Sequence, residues 1–450
     1  MKIALLPLYL QLYRDVCPAY DEKVAAFADT IANRLRAMGC DLIAAPVCAR
    51  HDEVKSALAQ FQNGGAEVLV TLHLAYSPSL EAEELLAQAK LPIIMLDTTP
   101  DFDYLPDHST LMMNHGIHGV QDLANRLRRR NAPYKVIAGH WSESKVLEKL
   151  QEVARAAVVA NAFRHSRVGR IGGEFKGMGD FCISAQAMKD WGIATIDFSQ
   201  EKHALMPDEA SIADEMTSLK ALPFSGERAD DDTYRINAVC SLMVRNFIKR
   251  ERLSAFTCNF LDAHRFGVPT TPFMEASCAM SRQIGYAGEG DVMDAAWIGA
   301  IMKSVHQTSF TEMFCPDWKC GRIFISHMGE VNPALLEKPT LRVKQASFLP
   351  SPYPLAFTGS LKPGKVTIAN LAPGPGDKLE LITAEGEILA FQDAGSQQIS
   401  GLFKPGMNLA DFLAAYSQLG GTHHSALCYD VPASFWEELA LFLGIPHHRI

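Results

Sequence analysis

Residues 1–47 read MKIALLPLYLQLYRDVCPAYDEKVAAFADTIANRLRAMGCDLIAAPV. Apolar runs open the stretch at residues 3–9 and close it at 42–47. Between them Val24, Phe27, Ile31, Leu35 and Met38 recur at the spacing that puts side chains on one face of a helix, and Gly39 supplies a left-handed stop. Strand, amphipathic helix and strand in succession are the unit of a parallel sheet covered by helices. The rhythm continues outward. Val54, Leu58 and Phe61 form the next stripe, ended by Gly64-Gly65, and further apolar runs fall at residues 68–74, 93–97 and 136–140. Open parallel sheets bind ligands at the carboxyl ends of their strands, which singles out His73, Asp97 and His140 by position.

Residues 144–163 read as a long helix, and 167–173 as the first strand of a fresh α/β unit. A helix at 235–251, a strand at 255–261 and a helix at 291–305 continue that unit. Past Thr308, runs at 322–327, 341–347, 365–371 and 378–382 are separated by turns such as Pro373-Gly374-Pro375-Gly376-Asp377, the texture of an antiparallel domain closed by a short αβ tail from Ala433. The expected fold is α/β: two parallel-sheet domains, residues 1–165 and 166–307, then a β-rich domain, 308–450.

With 48% hydrophobic and 21% charged residues in 450, the chain should fold throughout. A net charge of −9, from 51 acidic and 42 basic residues, gives no reason to expect nucleic acid or an anionic membrane as partner, and a small solute is the default. Ten cysteines spread from Cys17 to Cys428 read as reduced, mostly core thiols. The apolar N-terminus lacks a cleavage site and reads as a first strand, and no run reaches the roughly 18 apolar residues of a membrane helix. The expected location is the cytoplasm. Arg126-Leu127-Arg128-Arg129-Arg130 reads as a solvated helix end. The glycines of residues 172–179 fit no nucleotide fingerprint, so no nucleotide cofactor is expected. Cys315 and Cys320 have no second pair at zinc spacing, and His447-His448 reads as a tail.

Residues able to carry chemistry gather in the last third. Glu289 stands in Gly288-Glu289-Gly290-Asp291, ahead of a helix; Glu312 ends Thr308-Ser309-Phe310-Thr311-Glu312; His327 ends an apolar strand; His423-His424 follows Gly420-Gly421-Thr422. Two carboxylates and two imidazoles from separate segments suit a borderline divalent cation such as Mn²⁺. Singly, a Glu beside glycines reads as a helix cap and a strand-end His as a structural hydrogen-bonding residue, and no short motif fixes their spacing.

The runs Tyr286-Ala287-Gly288-Glu289-Gly290-Asp291, Thr308-Ser309-Phe310-Thr311-Glu312, His327-Met328-Gly329-Glu330-Val331 and Gly420-Gly421-Thr422-His423-His424 follow one another in the order and approximate spacing of the L-arabinose isomerase family. The N-terminal part resembles that family at His73 through Ser77-Pro78, at His118-Gly119 and at Gly139-His140-Trp141. The resemblance implies an aldose–ketose isomerase with two Rossmann-like domains and a C-terminal β domain. It also implies a homo-oligomer, trimer or hexamer, with its active site at a subunit interface. Carried over residue by residue, it implies Glu289, Glu312, His327 and His424 as ligands of Mn²⁺ or another divalent cation. His423 is then a neighbouring imidazole at the substrate, and His118 is offered from the adjacent subunit; His73 completes the substrate-binding set. Departures at residues 118–122, 10–13 and 170–175 widen the expected substrate from an L-arabinose-like pentose to a deoxy or modified sugar.

The chemistry asks for the same residue types. Moving a carbonyl from C1 to C2 requires a proton to leave one carbon and return to its neighbour, work for a carboxylate pair such as Glu289 and Glu312. A divalent cation polarises the carbonyl and stabilises the ene-diolate. The rivals are a non-catalytic sugar-binding or sensing protein of the same fold, and a metal-dependent epimerase or lyase using enediolate chemistry.

Overall fold

The strand–helix alternation of the first 140 residues folds as an open parallel sheet. In the computed structural model, which describes residues 1–103, 108–199, 201, 206–345, 349–391 and 399–450, β1 (Lys2–Leu8), β2 (Asp41–Ala44), β3 (Val68–His73), β4 (Ile93–Asp97) and β5 (Tyr134–Ala138) pair in the order 2-1-3-4-5, all neighbours parallel. The helix Asp21–Ala37 buries Val24, Phe27, Ile31 and Leu35 of the stripe read from sequence, while Met38, the last of it, follows the helix half-buried, and Gly39 turns the chain at φ +85°. Val54, Ala57 and Phe61 of the helix His51–Asn63 are buried in the same way.

The chain divides into two compact units, residues 1–161 with 433–444, and residues 162–432 with 445–450. The expected boundary near 165 falls beside this division, whereas that at 307 separates two sheets inside the second unit. The tail anticipated from Ala433 is divided between the units. Its helix, Ala433–Leu443, buries Phe435, Trp436 and Leu439 in the first unit, where Glu438 meets Lys135 of β5 at 2.8 Å.

In the second unit β6 (Arg167–Ile171), β7 (Ala194–Asp197), β8 (Ala255–Cys258) and β9 (Gly285–Gly288) form a parallel sheet in the order 7-6-8-9. β7 and the helix Glu209–Ala221 have no counterpart in the sequence reading. β7 is a short edge strand with no fully buried residue, so it carries little hydrophobic signal. The helix Val292–Ile301 is buried on every side, and Trp297 Nε1 donates to the Ala369 carbonyl at 3.1 Å.

The remaining strands are β10 (Thr308–Asp317), β11 (Arg322–Ser326), β12 (Thr340–Val343), β13 (Leu355–Ser360), β14 (Gly364–Pro373), β15 (Leu379–Ile388), β16 (Ile399–Pro405), β17 (His424–Tyr429) and β18 (His447–Arg449). Six of them close on themselves: 16-11-10-17-14-15 and back to 16, every pair antiparallel, which leaves that ring without an edge. β13 adds to β16 and β18 to β15 in parallel, and β12 to β13 antiparallel, so the sheet as a whole is mixed. Ile323, Ile325, Ile368, Ile382, Phe403 and Leu427 join one apolar cluster. The strand expected at 341–347 ends at Val343, and Ala346 and Ser347 lie outside the described residues. The His447-His448 pair is a strand rather than a tail. His447 bonds Thr383 Oγ1 at 2.8 Å, and His448 pairs with Glu380 at 2.7 Å. All ten cysteines are unpaired, five of them buried. Among the described residues no helix is long and apolar enough to cross a membrane.

Candidate metal centre

Strand register does the first part of the assembly. Glu312 on β10 stands opposite His424, the first residue of β17, on one side and Ser326, the last of β11, on the other, so His327 follows directly beside it. The turn after β9 does the second. Glu289 sits at φ +62°, a left-handed backbone that costs a non-glycine residue about 1–2 kcal/mol. Gly288 leaves room for the His327 ring: a Cβ there would lie 2.8 Å from His327 Cε1. Gly290, at φ +82°, permits close passage of the Gly173 carbonyl.

Three imidazoles face this point, each held from behind by a carboxylate. His327 Nδ1–H donates to Glu330 Oε2 at 2.7 Å, and Glu330 is fixed in turn by the Tyr286 hydroxyl at 2.9 Å. His424 Nδ1–H donates to Asp291 Oδ2 at 2.9 Å, and His423 Nδ1–H to Asp180 Oδ2 at 2.6 Å. A carboxylate can only accept, so each ring turns Nε2 forward. His423 Nε2 and His424 Nε2 lie 3.6 and 3.9 Å from Glu289 Oε2, and His327 Nε2 lies 3.9 Å from Glu312 Oε2. These separations are too long for hydrogen bonds and slightly longer than the about 3.4 Å between donors on a tetrahedral ion with bonds of about 2.1 Å. Glu289 Oε2, His423 Nε2 and His424 Nε2 are buried without a hydrogen-bond partner, and the ligand atoms of these three residues lie within 4.8 Å of one another. The aromatic surround is close: Phe310 meets His327 and His424 edge-on at 4.6 and 4.9 Å, and Phe181 stacks on His424 at 5.1 Å.

The charge balance points to a cation. Five carboxylates (Glu289, Glu312, Glu330, Asp291 and Asp180) surround three imidazoles. Burial alone would lower the basicity of His423, but its hydrogen bond with Asp180 and the nearby Glu289 carboxylate outweigh it and lift its pKa to about 10. Burial is likewise outweighed at His327, which is raised by Glu330, and at Glu289, which is lowered by His423, His424 and His327. Asp180, burial notwithstanding, is held down to about 2 by His423. An electron-rich cluster of oriented imidazoles and orphaned donor atoms fits a divalent cation.

Of the residues read from sequence, Glu289, His423 and His424 come together most tightly, with Glu312 and His327 beside them. His423, anticipated as a neighbour of the ligands, stands as close to Glu289 as His424 does. His118 and His73 lie in the other unit. His118 is exposed on the helix Ile117–Arg129, with Tyr76 and His115 rings at 6.3 and 5.7 Å. His73 is buried at the end of β3, with Ser77 on Nδ1 at 2.7 Å and Thr71 on Nε2 at 3.1 Å, and burial pushes its pKa down to about 3. The residues that hold the imidazoles, Asp180, Asp291 and Glu330, went unassigned in the sequence. Two of them stand inside the motifs quoted above, but nothing local marks them as holders.

The L-arabinose isomerase N-terminal domain family matches residues 16–165, and the L-arabinose isomerase C-terminal domain family matches residues 307–446. An L-arabinose isomerase 1 from Bacillus licheniformis is 28% identical over 354 residues, 75% of this chain and 71% of that protein. L-Arabinose isomerases from Shouchella clausii and Geobacillus thermodenitrificans are 24% and 26% identical, each over 94% of this chain and 90% of theirs. With two family models taking in more than half of its length and relatives following it almost end to end, the chain belongs to the L-arabinose isomerase family, as a divergent member, and is an aldose–ketose isomerase.

Proposed function

We propose that this enzyme is a metal-dependent isomerase working through an ene-diol, with Glu289, Glu312, His327 and His424 holding Mn²⁺ or another divalent cation. The observation that carries this reading is the convergence of Glu289 Oε2 and the forward-facing imidazole nitrogens, each ring braced by a carboxylate. When bound, the cation supplies Lewis-acid polarisation of the sugar carbonyl and compensates charge on the two sugar oxygens.

The protein's own groups do the rest. Glu289 and Glu312 form the proton-transfer pair. One carboxylate takes the proton from C2 of the open-chain aldose and returns it to C1, while the hydroxyl proton passes between O2 and O1. Glu312, with a side chain 22% exposed against 12% for Glu289, is the more accessible to substrate. In this reading His423 contacts the sugar oxygens, His118 contributes from an adjacent subunit, and His73 completes the substrate-binding set. The substrate is an L-arabinose-like pentose or a deoxy or modified sugar. The working form is a cytoplasmic homo-oligomer, trimer or hexamer, with the site at a subunit interface, and neither nucleic acid nor membrane is a partner.

The test is ketose formation from a panel of pentoses, hexoses and deoxy sugars by chelator-stripped protein, with and without added Mn²⁺. Restoration by the ion on one sugar is the expected result. Isomerisation undiminished by stripping refutes metal dependence. Silence on all sugars with Mn²⁺ stoichiometrically bound turns the assignment towards sugar binding without catalysis.

A further inference from the structure

Consecutive residues of a strand point to opposite faces, so two adjacent histidines cannot ordinarily present their rings to one point. Here both do: His423 Nε2 and His424 Nε2 lie 3.6 and 3.9 Å from the same oxygen, Glu289 Oε2. His424 is held by the ladder as the first residue of β17, opposite Glu312. His423 lies just outside that strand, and its backbone N–H donates to Asp180 Oδ2 at 2.9 Å rather than to a neighbouring strand. The same oxygen takes the His423 Nδ1–H at 2.6 Å. One carboxylate oxygen thus grips the residue at main chain and ring, which fixes both its backbone and its rotamer. Asp180 arrives from the glycine-rich segment after β6, far away in sequence, and its neighbour Phe181 stacks on His424 with planes 12° apart.

Building on the proposed metal centre, we infer that Asp180 is a positioning residue, the group that turns His423 out of strand alternation and makes its one free nitrogen a further donor at the ion, in place of the sugar contact proposed above. Its 39% exposed side chain contributes little to the core, so removing it acts on the site and not on the fold.

The experiment measures Mn²⁺ affinity calorimetrically on full-length wild type, Asp180→Ala and Asp180→Asn, with a thermal melt of each. It also records the downfield imidazole N–H proton spectrum of the ion-free proteins, the His423 signal being identified by its loss in His423→Gln. Asp180→Ala is expected to bind Mn²⁺ about 10–100-fold more weakly, with a melting temperature only slightly lowered, and to lose the protected His423 Nδ1 proton. Asp180→Asn, which keeps an acceptor oxygen, is expected to recover part of the affinity. Wild-type affinity in Asp180→Ala overturns the inference. If wild type itself binds no Mn²⁺, the metal reading fails separately and the proton decides the role of Asp180: lost in Asp180→Ala, it supports positioning, and retained, it refutes it.

Discussion

Asp291 uses both of its carboxylate oxygens, and asparagine has only one acceptor to replace them. Oδ1 caps the helix Val292–Ile301 by accepting the Asp294 N–H at 2.9 Å, while Oδ2 accepts His424 Nδ1–H at 2.9 Å, with Asp291 only 1% exposed. In Asp291→Asn the single oxygen keeps the cap, because the backbone N–H of Asp294 has no alternative to donating. The amide NH₂ then faces His424, whose ring can accept at Nδ1 by moving its proton to Nε2. Both contacts at position 291 are kept, and His424 Nε2, which has no hydrogen-bond partner in the ion-free protein, only exchanges a lone pair for a proton, so stability should stay within about 1 kcal/mol of wild type. The cost appears at the centre, where Nε2 now carries a proton and has no lone pair to offer, and Mn²⁺ affinity should fall about 10–100-fold. Asp291→Ala separates the two jobs. It removes the cap, about 1 kcal/mol, and strands a buried imidazole N–H, about 1–3 kcal/mol, so it should lose about 2–4 kcal/mol. Urea unfolding with and without Mn²⁺, beside a direct titration of the ion, reads both quantities. Wild-type affinity in Asp291→Asn at unchanged stability would refute the reasoning, since it would mean that the tautomer of His424 does not matter.

Gly288→Ala places a Cβ 2.8 Å from His327 Cε1 and 3.1 Å from its Nε2, so the ring must shift; Mn²⁺ affinity and activity should fall together, with about 1–3 kcal/mol of stability lost to overpacking. Glu289→Gly relieves the left-handed strain at φ +62° and should raise the urea midpoint of the ion-free protein by the equivalent of about 1 kcal/mol while ion binding disappears; a lower midpoint contradicts the strain assignment. In the N-terminal unit Arg126 and Arg130 hold the buried Glu83 carboxyl down to about 2 from an ordinary 4.5. A depressed carboxyl contributes stability that is whole above its unfolded pKa and drains as pH falls towards its folded one. Glu83→Gln should therefore cost about 1–3 kcal/mol at pH 7 and flatten the loss that wild type shows between the two values, measured by urea midpoints along a pH series.

The parallel sheet of the first unit was legible because its periods are local: the helix Asp21–Ala37 buries four residues of the stripe, with Ala28 and Ala32 beside them, and β1 is a continuous apolar run. Where burial has no period, the reading weakened. β7 hides nothing completely, and the helix Val292–Ile301, covered on all sides, carries no stripe to mark its ends. The texture of turns announced a β-rich C-terminal part but not the ring of six strands. Closure depends on β15 meeting both β14 and β16, a choice between distant segments that no local pattern encodes. The same is true of the helix Ala433–Leu443, whose apolar face names no partner and is buried in the first unit.

The donor types of the site were legible as residue chemistry, and their convergence was not, because it rests on register. Phe310 faces Ala426 and Thr308 faces Cys428 across β10 and β17, all four nearly inaccessible, and this ladder leaves Glu312 opposite His424. A slip of one residue would turn every side chain of β10 to the other face of the sheet. Thr311 or Met313 would then meet His424, and the buried wall of the barrel would be turned outward. The register that buries Phe310 is thus the register that delivers Glu312, and no mutation can shift the carboxylate along β10 without unpacking the barrel. What remains free to vary lies off the ladder: Glu289 on its strained turn, and His423 on the Asp180 contact. Divergence of the site within this fold is therefore expected to run through the turn after β9 and the segment that carries Asp180, with Glu312 and His424 locked to the core.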